Sequence, residues 1–406
     1  MSAVVVFIIF AICLVIAIPI SISLGIVAVL PGAFDASFTA SAGYVIRSMV
    51  GGIDSFPLLA VPMFVLAGIL MAHGKISEKL FDVFVYFLGN KRAGIPCAVI
   101  ITCLFYGAIS GSAPATVAAV GSMTIPLLIE LGYEKDFSTA IVAVAGGLGV
   151  IIPPSIPFIM YAMATGESVS DLFLAGIVPG MMISALLIFY AYYYCRRHGE
   201  DREKIQAKMD QLKTKGFVNI LKESIWALLS PVIVLGCIYS GVASPTEAAV
   251  ISVFYSLFVS LFIYKSIKVK QIWGIMVEAM KTYAPILFIL ATSTAFSRVL
   301  TLMQVPQDVS AWIMTHFSNE IVLLLVINVV LLIVGMVMDT TPAILILSPI
   351  LLPIVEHVGM NPIHFGVMMI VNLAVGFVTP PVGVNLFVAS SLTNVPMMQI
   401  AKKAMP

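Results

Sequence analysis

Two stretches decide how this chain folds: Gly149-Val150-Ile151-Ile152-Pro153-Pro154 and Gly376-Phe377-Val378-Thr379-Pro380-Pro381, each set inside an otherwise apolar, helix-length segment. Hydrocarbon holds no water to satisfy freed backbone groups. A helix broken at membrane depth is therefore tolerated only where it is buried in protein or lines a polar cavity. Matching breaks in two halves of a chain point to the binding site of a transporter.

Composition sets the class. At 61% hydrophobic and 10% charged over 406 residues, the chain falls far below the charge content of soluble domains, about 25%. It reads as an all-α polytopic membrane protein embedded in a lipid bilayer. Apolar runs long enough to cross roughly 30 Å of hydrocarbon recur at 3–30, 56–72, 172–195, 227–242 and 321–337. The first is too long and too poor in basic flanks for a cleaved signal peptide, so it is expected to remain as a scaffold helix. The five cysteines lie in apolar stretches without metal-ligand spacing and read as small core residues.

Charge placement sets the topology. Eight of the 21 Lys and Arg fall between Arg196 and Lys222, a polar linker that reads as a loop with some helical character and that the positive-inside tendency puts in the cytoplasm. Counting crossings outward from it puts Lys265, Lys268 and Lys270, and also Lys75, Lys79, Lys91 and Arg92, on the same side.

The breaks belong to a longer internal repeat at an offset of 227 to 228 residues, which pairs Pro57 with Pro285, Pro114 with Pro342, Pro126 with Pro353 and Gly132 with Gly359. Each copy reads as a span, a re-entrant hairpin (94–133 and 321–358) and a broken helix. The division is a scaffold segment at 1–51, repeat 1 at 52–165, scaffold helices with the basic loop 196–222 at 166–279, repeat 2 at 280–392 and a terminal segment at 393–406. Five crossings separate the copies, and an odd number makes them inverted-topology repeats.

Proline lacks the amide that would bond the carbonyl four residues back. On that rule Pro114, Pro153, Pro342 and Pro380 free the carbonyls of Ser110, Gly149, Met338 and Gly376. Carbonyls at helix C-terminal ends suit a hard monovalent cation such as Na⁺. Prolines also merely kink packed helices, but four at matched offsets beside glycines and hydroxyls favour two ion sites, one per repeat.

Phe105-Tyr106-Gly107-Ala108-Ile109-Ser110-Gly111-Ser112-Ala113-Pro114-Ala115-Thr116, Gly147 to Pro157, and Gly241-Val242-Ala243-Ser244-Pro245-Thr246-Glu247 resemble the large membrane (M) subunit of the tripartite ATP-independent periplasmic (TRAP) transporters, over nearly the whole chain. The resemblance implies a Na⁺-driven elevator, like those of the ion-transporter superfamily, in a bacterial inner membrane. It also implies a small four-helix membrane subunit and a periplasmic binding protein that delivers an organic acid, with sialic acid as the branch it looks most like. Carried over, the first sodium site falls on Ser110, Gly149, Ile151 and Pro154. Repeat symmetry gives Met338, Gly376, Val378 and Pro381 for the second, with Asp339, Thr340 and Thr341 nearby. Family members usually continue into another spanning helix, whereas this sequence stops at Pro406.

Helices leaving the tips and breaks begin with free amides that favour a carboxylate. Ser112, Thr116, Ser155 and Asn385 lie near those starts and are candidate substrate contacts, with local helix capping as the competing role for each. Arg298 is a candidate carboxylate partner that could equally snorkel to the interface. Glu247 reads as a structural helix start. Nothing resembles an enzyme's catalytic group or a phosphate loop, so the expectation is no enzyme, no ATP, no nucleic acid and no cofactor beyond Na⁺ as coupling ion. The alternatives are a stand-alone Na⁺ or H⁺ dicarboxylate symporter of related fold and, further off, a passive channel or a non-transport scaffold subunit.

Overall fold

A computed structural model describes residues 3–35, 38–214, 216–316 and 319–406. Parts of the expected N-terminal connector (1–2, 36–37) and of the basic loop (215) lie outside the described residues. The described residues are helical with short connections, and seven helices are long and apolar enough to span a membrane, or nine if two bent pairs each count as one.

The N-terminal apolar run is two helices rather than one span, α1 (Ala3–Val15) and α2 (Ile20–Phe34), which pack on each other. The chain leaves α1 through Ala17 at φ 63° and enters α2 from Pro19, which has no amide for a continuing helix. Next come α3 (Ala42–Ile53) and α4 (Ala60–His73), bent by 64° around a short 3-10 turn at Pro57–Leu59. A shorter helix that the sequence did not separate, α5 (Ile76–Leu88), leads to the first hairpin, α6 (Gly94–Ser110) and α7 (Ala113–Glu130). The first broken helix is α8 (Lys135–Gly146) with the single turn α9 (Leu148–Ile151), then α10 (Ile156–Thr165).

The linker region supplies three spans: α11 (Val169–His198), α13 (Phe217–Tyr239) and α14 (Pro245–Phe258), the last prolonged by a π turn at Val259–Ile263. Between α11 and α13 the expected polar loop is largely α12 (Arg202–Thr214), whose Ile205, Met209 and Leu212 are buried while its charges face out. Glu247 completes a capping box with Ser244, accepting the Ser244 N–H at 2.7 Å, which bears out its structural role.

Repeat 2 follows the order of repeat 1. The long α15 (Val269–Leu302) is its span, α16 (Val305–His316) stands where α5 stood, and α17 (Glu320–Val337) with α18 (Thr340–His357) forms the second hairpin. The second broken helix is α19 (Pro362–Gly376) followed by α20 (Val384–Thr393), and α21 (Met397–Ala404) closes the described chain. The Pro153–Pro154 and Pro380–Pro381 bonds are both cis. One difference separates the copies: Pro57 opens a turn, whereas Pro285 lies inside the continuous α15. Counting the first broken helix, α11, α13, α14 and α15, five crossings lie between the hairpins, so the two copies are inverted.

Two glycine pairs set how closely each hairpin approaches its broken helix. A Cβ on Gly107 would stand 2.6 Å from the Cα of Gly149, and one on Gly376 would stand 2.3 Å from the carbonyl carbon of Gly335. Gly107 and Gly335 are 228 residues apart, so the same close crossing is built twice. Only a residue without a side chain permits it.

Candidate ion and substrate sites at the two breaks

At the first tip, α6 ends at Ser110 and Gly111 turns the chain at φ 62°. The oxygens then cluster: Ser110 Oγ lies 3.0 Å from Thr116 Oγ1 and 3.3 Å from the Ser112 carbonyl, which also accepts from Thr116 Oγ1 at 2.8 Å. Gly149 faces this cluster, because a Cβ there would meet Thr116 Oγ1 at 2.5 Å and the Ser112 carbonyl at 2.8 Å. The Pro154 carbonyl abuts Gly111, whose own carbonyl accepts the Ile156 N–H at 3.2 Å and ties tip to break. Ser110, Gly149 and Pro154 are thus brought together. The Ile151 carbonyl instead lies against Gly176 of α11.

Among the described residues, no hydrogen bond reaches the carbonyls of Ser110, Gly149 or Met338. Gly149 is free for the expected reason, since the amide that would serve it belongs to Pro153. Ser110 is free for another: its helix simply ends, and Pro114 sits in the first turn of α7, where a missing amide costs nothing. Gly376 departs from expectation, because its carbonyl accepts the Thr379 N–H at 3.1 Å. The loop after the second break is longer and folds back on itself.

At the second tip, Asp339 caps α18, its Oδ1 accepting the Thr340 N–H at 2.7 Å and lying 3.3 Å from Thr340 Oγ1. The Val382 N–H donates to the Met336 carbonyl at 3.1 Å, so here too the loop beyond the break is tied to the hairpin. Pro381 is carried beside the end of α17 by that bond. The side chains of Met338 and Val378 pack in different apolar clusters. Thr341 is buried in the first turn of α18.

The substrate candidates separate. Ser112 and Ser110 line a cavity of about 480 Å³ between hairpin 1, α4 and α15, with Glu278 and Thr282 on its far wall. Thr116 is engaged within the tip cluster. Ser155 caps α10, accepting the Phe158 N–H at 3.5 Å and donating to the Val150 carbonyl at 2.5 Å. Asn385 is fully buried, with Nδ2 donating 2.9 Å to the Ala143 carbonyl. Arg298 lines a second cavity of about 500 Å³, among Gly51, Gly52, Thr294, Ser297 and Glu167. It belongs to neither tip nor break.

Three further features escaped the sequence reading. Gly107 and Gly335 carry the repeat offset and were detectable by it. Asn372 Nδ2 donates to Asn328 Oδ1 at 2.7 Å, joining α19 to α17 within apolar helices; Asn328 and Asn372 have no counterparts in repeat 1, where Ile100 and Ala145 stand. Finally, a row of α15 residues at four-residue spacing, which winds around the helix, walls both cavities, with Glu278, Thr282 and Ile286 on one and Leu290, Thr294 and Arg298 on the other. At 1.5 Å per residue, Glu278 and Arg298 stand about 30 Å apart, and His73 Nε2 meets Glu278 Oε2 at 2.9 Å.

Re-entrant hairpins facing broken helices, with a cavity at either end of one long helix, are the architecture of membrane transporters. Two solved structures are similar in fold: the YdaH transporter of Alcanivorax borkumensis (TM-score 0.63, 15% identity, 99% of this chain and 94% of that one) and MtrF of Neisseria gonorrhoeae, described as illuminating a class of antimetabolite efflux pumps (TM-score 0.59, 14% identity, 95% and 93%). At these identities the likeness is one of fold.

The chain belongs to the tripartite ATP-independent periplasmic transporter family as its DctM component, which matches residues 7–406. It is 44% identical over 98% of its length to the isethionate TRAP transporter permease protein DctMQ of Oleidesulfovibrio alaskensis, spanning 61% of that protein. It is 40% identical over 87% of its length to the C4-dicarboxylate large permease DctM of Pseudomonas aeruginosa, covering 81% of it. Against the 2,3-diketo-L-gulonate large permease YiaN of Escherichia coli it is 38% identical, over 86% of this chain and 80% of that one. The family is one of transporters and not of enzymes, and the chain is a multi-pass inner-membrane protein.

Proposed function

We propose that this chain is the translocating subunit of a sodium-coupled uptake system for a small organic acid. The observation that carries the proposal is the oxygen cluster of Ser110, Ser112 and Thr116 against the free carbonyl of Gly149. It is a cage of hard neutral oxygens with no titratable group, which suits Na⁺ better than a proton. The second tip offers the Met338 carbonyl and the Asp339 carboxylate beside the loop of Gly376, Val378 and Pro381, with Thr340 at the helix start. Two ions, each descending a tenfold gradient and about 100 mV, release roughly 7 kcal/mol together, enough to concentrate an anion by several orders of magnitude.

The substrate is an organic acid or sulfonate by the names of the relatives, which span isethionate, C4-dicarboxylates and 2,3-diketo-L-gulonate. Sialic acid, the branch the sequence looks most like, stands beside these acids as a candidate. Ser112 in the first cavity and Arg298 in the second are the groups offered to the acid. Movement is an elevator, the hairpins and broken helices sliding against a fixed wall that includes α15. A small membrane subunit extends that wall, and a periplasmic protein delivers the acid. The test is uptake into proteoliposomes holding the chain and its small subunit, with the binding protein outside, across a panel of these acids plus sialic acid. Uptake requiring both sodium and the binding protein is the expected result. Uptake requiring sodium alone would make the chain a stand-alone symporter.

A further inference from the structure

Asn385 was expected near substrate, yet its side chain is fully buried and serves the other repeat. In an unbroken helix the Ala143 carbonyl would accept from the N–H of Gly147. The first break prevents this, because the Gly147 N–H turns to Val144, at 3.0 Å. The carbonyl orphaned by the break in repeat 1 is then satisfied by Asn385 Nδ2, from the first turn of the helix that follows the break in repeat 2. The backbone N–H of the same asparagine donates to the Phe377 carbonyl at 3.1 Å, across its own break. A single residue therefore holds both breaks.

The surroundings make this bond a mechanical link. Ala374 and Phe377 from one break pack with Val150 and Ile151 from the other, and with Ala113 at the first tip, in one buried cluster. The Asn385 Oδ1 atom is buried with no hydrogen-bond partner among the described residues, a state that costs about 1–3 kcal/mol. An asparagine placed for stability alone would not carry that cost. The offset of 227 matches Asn385 to Phe158, which has no donor, so the link runs one way. Tyr161 Oη of α10 does reach the Pro362 carbonyl at 2.7 Å, but at the start of α19, away from its break.

We infer that Asn385 is a positioning residue that couples the two breaks, so that filling the ion site at one raises the affinity of the other. This rests on the two-site reading proposed above. An ion that orders the loop of residues 377–383 fixes the first turn of α20, and with it the Ala143 carbonyl in the last turn of α8, four residues before the Gly147–Gly149 segment at the first tip. Reciprocity requires the effect in both directions.

The test is equilibrium binding of radiolabelled sodium to the full chain with its small subunit, in wild type, Asn385→Leu and Asn385→Ala. The leucine keeps the branched shape and removes the amide, and the alanine relieves any strain the larger leucine brings. Wild type is expected to bind cooperatively, with a Hill coefficient clearly above one. The variants are expected to bind with a coefficient near one and half-saturation raised about fivefold or more, while uptake still requires sodium. A wild-type coefficient of one, or cooperativity unchanged in either folded variant, overturns the coupling and leaves the two-site reading standing. Wild-type uptake indifferent to sodium overturns the two-site reading itself, and the coupling with it.

Discussion

An alanine methyl at Gly149 would stand 2.5 Å from Thr116 Oγ1 and 2.8 Å from the Ser112 carbonyl, inside the oxygen cluster. At Gly274 of α15 the same methyl would meet nothing within 4 Å. Gly149→Ala is therefore expected to raise the half-saturating sodium concentration tenfold or more, whereas Gly274→Ala leaves it alone; sodium titration of uptake compares them. Ser110→Ala removes one oxygen of the cluster and leaves the backbone, so its loss should be smaller, about 1 kcal/mol or roughly fivefold in sodium affinity. Gly149 and Gly376 were legible in the sequence because each opens a stretch that ends in a proline pair. Gly107 and Gly335 were not singled out, because a glycine inside an apolar helix announces nothing until its partner is known. Asn385 was legible only in part: its position near a helix start is visible in the sequence, but the carbonyl it serves is 242 residues away.

The two hairpins are built alike and packed differently. Most of α6 is buried, while α17 buries only Leu323, Ile327, Leu331 and Gly335, a single stripe at four-residue spacing. That stripe meets α19, and the Asn328–Asn372 hydrogen bond lies on the same interface as the Gly335–Gly376 crossing. Polar pairs between membrane helices contribute about 0.6 kcal/mol on average and at most about 1.7. A double-mutant cycle with Asn328→Leu and Asn372→Leu, read from steric-trapping unfolding in bicelles, should return a coupling in that range; zero would mean that the glycines alone fix the register. Hairpins, breaks and repeat were visible in the sequence because proline and glycine fix local backbone. The division of the first apolar run into α1 and α2 was not, because the run is long enough to pass for one span although Pro19 interrupts it, and the short α5 and α16 were not, because each carries charge and is too short to span. The helical character of the basic linker was legible, but not that it forms the distinct helix α12, whose buried residues are too few to stand out among its charges.

Across the whole molecule, α15 runs from one cavity to the other, with Leu290 in the wall of the second. Arg298 makes no ion pair within 4 Å among the described residues, so its charge is open to an anion. Arg298→Ala should raise the KM for uptake about tenfold, while Arg298→Lys, which keeps the charge but not the planar fork, should recover part of it; initial rates against substrate concentration decide. The number of spans between the hairpins could be counted from the sequence alone. The cavities could not be read that way, because each is assembled from helices far apart in the chain. The measurement that bears most directly on a sodium ion at each break is the sodium-to-substrate stoichiometry of uptake, from reversal potentials in proteoliposomes of the full system. Two or more sodium ions per acid are expected in the wild type, falling in Gly149→Ala. A ratio of zero, with uptake following a proton gradient instead, would contradict it.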